Sequence, residues 1–231
     1  MIEAEWWDYD TPEELAQAVS GDVQFVIESA LDARGDAVVA FPGGSTPLAS
    51  LDLLKAAKLK WKDVTIVPTD DRLVAVDNKL SNVRMLAERF LPLGGRVLPL
   101  TGGDLAVAEA GRAADARLHA IQWPLDLVWL GKGEDGHTAS IFAGPDLEAA
   151  LTAPHRAIGV TPDPMPQDAP VARITLTKSA ILSARAMLIS IRGDEKRALL
   201  ERALEEGAGS RLPIGRLLAD ATQAIDIHWC P

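Results

Sequence analysis

Leu125-Asp126-Leu127-Val128-Trp129-Leu130-Gly131-Lys132-Gly133-Glu134-Asp135-Gly136-His137-Thr138-Ala139-Ser140 runs from an apolar stretch straight into a glycine-rich polar one. Residues 125–130 read as a buried strand, and the residues after them as a tight loop. In an open α/β sheet, ligands bind just beyond the carboxyl ends of the strands, which is where this loop places its histidine. Asp135, two residues before His137, can accept a hydrogen bond from one ring nitrogen. The other nitrogen then stays free as a base near neutral pH. The loop is the expected catalytic centre of a small hydrolase.

Two nucleotide-binding patterns overlap this loop, and neither holds. Gly131, Gly133 and Gly136 match G-x-G-x-x-G. That pattern should open a full helix and be followed by an acid roughly 20 residues on. Here Gly144-Pro145 would cut the helix after about two turns, and the distal position holds Arg156. Residues 131–138 also mimic a phosphate loop, but His137 stands where that pattern requires lysine.

Outward from the loop, strand and helix patterns alternate. Expected strands cover residues 4–9, 36–41, 63–68, 96–98, 171–177, 186–191 and 221–227, beside 125–130. Expected helices cover 12–34, 48–57, 83–91, 104–121 and 197–206. Thr11, Pro12, Glu13 and Glu14 form a helix start, Gly35 a stop, and Ser81-Asn82 a second cap. Residues 69–72 read as the turn after a strand. Residues 161–170 contain four prolines and read as an exposed loop. Alternation of this kind predicts an α/β fold, with an open, mostly parallel sheet covered by helices on both faces. No repeat or linker divides it, so one domain over residues 1–231 is expected.

Composition narrows the function classes. With 23 basic and 33 acidic side chains, the formal net charge is −10. Such a chain lacks the electrostatic footprint of a nucleic-acid binder and is repelled by anionic membranes. The single cysteine, Cys230, allows no intrachain disulfide. The start Met1-Ile2-Glu3-Ala4-Glu5 is acidic, unlike a signal peptide, and no apolar run approaches the roughly 20 residues of a membrane span. A cytoplasmic location is expected. Any anionic substrate must be held by a few local cations.

Several segments supply candidate ligands. Gly43, Gly44, Ser45 and Thr46 lie between a strand and a helix, where backbone N–H groups and hydroxyls suit a phosphate monoester. The same residues also suit a plain capped turn. Arg173 interrupts a strand of Val, Ile, Leu and Thr; it is either an anion ligand or a solvated face. Lys196 stands in the first turn of a helix, where the dipole disfavours a cation, which hints at an anionic partner. Among Asp70, Asp71 and Arg72, one acid could bind a substrate hydroxyl and Arg72 an anion. His119, His155 and His228 have no neighbours in sequence that suggest a site, and no metal-ligand spacing or G-x-S-x-G elbow occurs.

Taken in order, these motifs resemble the 6-phosphogluconolactonase family. The matching pieces are Gly43-Gly44-Ser45-Thr46-Pro47, Asp70-Asp71-Arg72 with Ser81-Asn82, residues 130–142, Arg173-Ile174-Thr175-Leu176-Thr177 and Gly193-Asp194-Glu195-Lys196. Two positions depart from the family pattern: Asp71 stands where glutamate is usual, and Ala143 where proline is usual. The related glucosamine-6-phosphate deaminase/isomerase family shares the G-G-S-T-P turn. It has tyrosine at the position of Arg72 and an acid at that of Phe142. The resemblance implies one Rossmann-like domain and hydrolysis of 6-phosphoglucono-δ-lactone in the oxidative pentose phosphate pathway, with no metal or organic cofactor. It implies His137 as general base and Asp135 as its orienting partner. Gly43, Gly44, Ser45, Thr46, Arg173 and Lys196 would hold the phosphate, with Arg72 a further anion contact. Asp70 and Asn82 would face sugar hydroxyls or buttress the loop. Apart from the sugar-phosphate lactone no nucleic-acid or membrane partner is expected, and a monomer is the favoured state. A sugar-phosphate-binding regulator is the alternative class, although the chain shows no DNA-binding module.

Overall fold

The computed structural model describes residues 3–102 and 104–231; Met1 and Ile2, from the acidic start of the chain, lie outside the described residues. The chain runs β1 (Ala4–Asp8), α1 (Pro12–Arg34), β2 (Ala37–Phe41), α2 (Leu48–Leu54), β3 (Val64–Pro68), β4 (Asp70–Arg72), α3 (Asn82–Phe90), β5 (Arg96–Val97) and α4 (Val107–His119). It continues with β6 (Leu127–Leu130), α5 (Leu147–Thr152), β7 (Ala157–Val160), β8 (Arg173–Leu176), α6 (Lys178–Leu182), β9 (Ala186–Arg192), α7 (Asp194–Glu206), α8 (Pro213–Leu218) and β10 (Ile225–Cys230).

Seven strands form one sheet in the order β1-β10-β9-β6-β2-β3-β5, with every pairing parallel. Its central strands are buried on both faces because they feed two separate cores. Val38 and Ala40 of β2 pack toward α4, α7 and α8. Ala37, Val39 and Phe41 pack toward α1, α2 and α3. The α1 contribution follows from sequence spacing: Leu15, Val19, Val23 and Ile27 recur every fourth residue and are buried. Thr11 caps this helix by accepting from the Glu14 N–H at 3.2 Å, and Gly35 ends it at φ 82°, a left-handed conformation that glycine adopts without strain.

The expected open parallel sheet with helices on both faces is present, and four details differ. First, residues 171–177 do not join the main sheet. β8 pairs antiparallel with β4 and β7 in a separate three-stranded sheet, and all four of its residues are buried. Second, residues 70–72, expected as a turn, are the strand that pairs with it. Third, the five- and six-residue helices α5, α6 and α8 are too short to show a hydrophobic period. Fourth, several boundaries move. Helix α2 stops at Leu54, α4 begins at Val107, and the last strand begins at Ile225 instead of residue 221. Ahead of that strand Gln223 turns its amide onto the carbonyls of Leu182 and Ala184.

Candidate active site

Parallel pairing puts the carboxyl ends of β2, β3, β6 and β9 on one edge. Strand β2 leads on to β3 on one side and its neighbour β6 to β9 on the other, so the connections leaving this adjacent pair diverge, the arrangement that opens a ligand crevice. A cleft of about 320 Å³ occupies that place. The 43–46 turn after β2, Asp70 and Arg72 after β3, Gly131, Lys132, Gly133 and His137 after β6, and Lys196 after β9 all line it. A second hollow of about 400 Å³ adjoins it and shares Asp70, Arg72, His137, Ala139 and Asp168. Asp135, Phe142, Arg173 and residues 164–167 of the proline-rich loop complete this second lobe.

His137 stands where the lobes meet. Its Nδ1 lies 2.5 Å from Asp135 Oδ1, and its backbone N–H donates to the same oxygen at 3.1 Å. Burial alone would raise the Asp135 carboxyl. The hydrogen bond and charge of His137, with backbone donors, outweigh it and hold the group below the usual carboxylate range. Nε2 is thus the nitrogen left to meet a ligand. The Phe142 ring packs on the imidazole, with centroids 4.2 Å apart. The loop allows no bulk beside the ring: a Cβ on Gly133 would fall 2.1 Å from His137 Cε1. Backbone bonds from Gly133 N to His137 O and from Ile214 N to Gly136 O pin the turn.

The two aspartates after β3 have opposite environments. Successive strand residues face opposite sides, so Asp70 and Arg72 look into the cleft and Asp71 looks away. Asp71 is fully buried and accepts from Asn82 N at 2.6 Å, Arg72 N at 2.9 Å, Ser81 Oγ at 3.0 Å and Thr101 Oγ1 at 3.3 Å. Burial raises its carboxyl, and the Asn82 and Ser81 donors only partly offset this. Asp71 fastens the start of α3 under the site. Asp70 accepts from Ser140 Oγ at 2.5 Å and from Thr69 Oγ1 at 3.2 Å while lining both lobes.

Asn82 turns out to be a buttress. Its Nδ2 donates to Asp70 O and its Oδ1 accepts from Arg72 Nη1, both at 2.7 Å. The amide is therefore engaged in the buttressing role, one of the two expected for it, and Asn82 also lines the cleft. Gly43 is required above it, since a Cβ there would meet Asn82 Oδ1 at 2.1 Å.

Arg173 is 3 % exposed, which rules out a solvated face. Its Nη1 is buried without a hydrogen-bond partner among the described residues. Burial, and then the charge of Arg72, push its pKa down. Arg173 lines the second lobe, whereas Lys196 and the 43–46 turn line the first, so the expected single phosphate cluster is divided between two lobes.

The sequence reading passed over Lys132, a buried lysine on the cleft wall, because it looks like a spacer between two glycines. Its position two residues beyond a buried strand's carboxyl end was the available signal. The other histidines do have carboxylate neighbours, contrary to expectation. His119 and His155 approach Asp115 at 3.7 and 3.3 Å, and His228 approaches Asp22 at 3.3 Å. None of the three lines either lobe. Among the described residues no group of three metal-ligating side chains occurs, and no helix is long and apolar enough to cross a membrane.

Comparison with known proteins identifies the family of the chain. The sequence model described as glucosamine-6-phosphate isomerases/6-phosphogluconolactonase matches residues 10–229. A 6-phosphogluconolactonase of Rhizobium meliloti is 35 % identical over 229 residues, covering 96 % of this chain and 97 % of that protein. One from Mesorhizobium japonicum is 32 % identical, covering 98 % and 95 %. The crystal structure of a 6-phosphogluconolactonase from Shewanella baltica superposes with a TM-score of 0.91 at 33 % identity, covering 99 % of this chain and 98 % of that one. The chain belongs to the glucosamine-6-phosphate isomerase/6-phosphogluconolactonase family.

Proposed function

We propose that this protein hydrolyses 6-phosphoglucono-δ-lactone to 6-phosphogluconate, the lactone-opening step of the oxidative pentose phosphate pathway, with His137 as general base and no metal in the chemistry. The observation that carries the reading is the 2.5 Å His137–Asp135 pair at the junction of two lobes that each hold cations. The product has an anion at each end, a phosphate and a new carboxylate, and a histidine between two cationic lobes suits it. In the first lobe the 43–46 turn and Lys196 hold the phosphate. In the second, Arg72 and Arg173 face the lactone carbonyl, where negative charge develops. Asp70 accepts a sugar hydroxyl.

His137 Nε2 takes a proton from water as its oxygen attacks C1. Asp135 keeps the proton of Nδ1 in place and stabilises the imidazolium. The tetrahedral oxyanion then collapses, the bond from C1 to the ring oxygen breaks, and the imidazolium returns its proton to the departing oxygen. The related ring-opening deamination is disfavoured by Phe142. An apolar ring packs on His137 where the deaminase pattern, by resemblance, supplies an acid. The proposal includes a cytoplasmic, monomeric enzyme.

The test is a rapid assay on freshly generated 6-phosphogluconolactone, corrected for spontaneous opening. Acceleration by the wild type that disappears in His137→Ala supports the reaction and the base together. Opening no faster with wild type than without it, with ammonia released from glucosamine 6-phosphate, would overturn the reading.

A further inference from the structure

Lys132 is a buried charge with no ion-pair partner among the described residues. It follows β6 by two residues and is only 7 % exposed. Its Nζ donates to the Gly133 carbonyl at 3.2 Å and joins no ion pair among the described residues. A buried ammonium is normally neutralised by a carboxylate. Here its charged surroundings are mixed. Lys196 and Arg202 on α7 repel it, and Asp135 and Glu134 on its own loop attract it from beyond contact distance. Lys132 borders the same cleft as the 43–46 turn and Lys196. Two ammonium groups on one small cleft disfavour each other while it is empty. A dianion between them relieves both.

We infer that Lys132 is a specificity-determining residue: with Lys196 it forms a two-ammonium clamp that selects a substrate bearing a doubly ionised phosphate over the same lactone without one. The inference deepens the proposed reading and rests on its assignment of the phosphate to this lobe. Burial first, and then the charge of Lys196, bring the Lys132 ammonium down to about 8. At neutral pH Lys132 is largely protonated. Above pH 8 the free protein loses one of the two charges, so affinity for the phosphate falls as pH rises.

Calorimetric titration of the intact protein tests this without relying on turnover. The probes are 6-phosphogluconate, gluconate and inorganic phosphate, with wild type, Lys132→Met and Lys132→Gln, at pH 7 and pH 9. Methionine keeps the stem and removes the charge; glutamine is the second variant should the first not fold. The expected result at pH 7 is binding of 6-phosphogluconate weakened about tenfold to a hundredfold, the size of one lost charge-assisted hydrogen bond. Gluconate binding is unchanged, and the wild-type advantage shrinks at pH 9. In the lactonase assay the loss falls on KM for the phosphorylated substrate, a split that a merely structural role would not produce. Equal affinity of wild type and variants for 6-phosphogluconate overturns the inference, as does equal weakening for gluconate. Wild type that binds no phosphorylated probe overturns it as well. Wild type that binds 6-phosphogluconate and shows the Lys132 dependence without hydrolysing the lactone supports the clamp and refutes the proposed activity alone.

Discussion

His137 and His228 each lie beside an aspartate, and the two sites are built in opposite ways. His137 sits on a glycine loop at the sheet's ligand edge, with Nδ1 held by Asp135 at 2.5 Å and its side chain 29 % exposed to the cleft. His228 lies inside β10, fully buried, with Nδ1 3.0 Å from the Tyr9 hydroxyl and the Tyr9 ring stacked on it. Asp22 Oδ2 comes within 3.3 Å of His228 Nε2, yet that nitrogen has no hydrogen-bond partner among the described residues. A histidine–aspartate pair therefore does not define a catalytic site. Access does, together with a carboxylate that fixes one nitrogen and leaves the other facing a ligand.

The comparison breaks most sharply at His137. His137→Ala is expected to lower kcat by about 10²–10⁴, the usual contribution of a general base, while leaving the melting temperature near wild type because the residue lies on a surface loop. A variant that retains wild-type kcat would make His137 a bystander. Gly133→Ala tests position separately from chemistry. The added methyl would fall 2.1 Å from the ring and must displace it. A shift on the order of 1 Å at a reacting group costs about a hundredfold. That loss should appear in kcat with the imidazole still present, and its absence would mean the ring need not be held where it is. Asp135→Asn removes the charge behind the base. One charge-assisted hydrogen bond is worth about 1.5–3 kcal/mol, so kcat should fall roughly tenfold to a hundredfold. If kcat is unchanged while KM rises, Asp135 binds substrate instead of orienting the histidine.

Much of this contrast was legible in sequence. The histidine loop, its aspartate and the 43–46 turn carry their signals within a few residues each. What escaped depends on partners far along the chain. Asp70 and Asp71 are the same residue type side by side, and only the β4–β8 ladder, with Asp71 opposite Ile174, turns one to the cleft and the other into a buried knot. Read as a strand, the segment would have separated them by period alone. Asn82 is named by the same cap signal that starts α3, but its grip on Arg72 and Asp70 needs the fold. Arg173 and Lys132 are buried by elements distant in sequence, and burial is what makes an unpartnered cation informative. His228 was invisible as a site for the same reason: the strand is legible, but Tyr9 and Asp22 lie about 200 residues before it.

The smallest effect on activity, and the sharpest on stability, belongs to His228. Burial, opposed only by the charge of Asp226, brings its pKa down from 6.5 to about 4. The folded protein keeps this imidazole neutral across that interval, while the unfolded chain takes up a proton below about 6.5. Between pH 6.5 and pH 4 the unfolded state therefore binds more protons, and stability falls as pH falls. The shift from 6.5 to about 4, at about 1.4 kcal/mol per unit, sets an upper bound of roughly 3.5 kcal/mol. His228→Phe keeps an aromatic ring in the core and does not titrate. Its kcat should match wild type, and its stability relative to wild type, measured by urea denaturation, should rise steadily from pH 7 to pH 4.5. Carboxylates such as Asp135 add their own acid dependence to both proteins and cancel in the difference. A constant difference across that range would mean that water or Asp22 stabilises a protonated His228 in the fold. The contrast between an open and a sealed histidine would then rest on geometry alone.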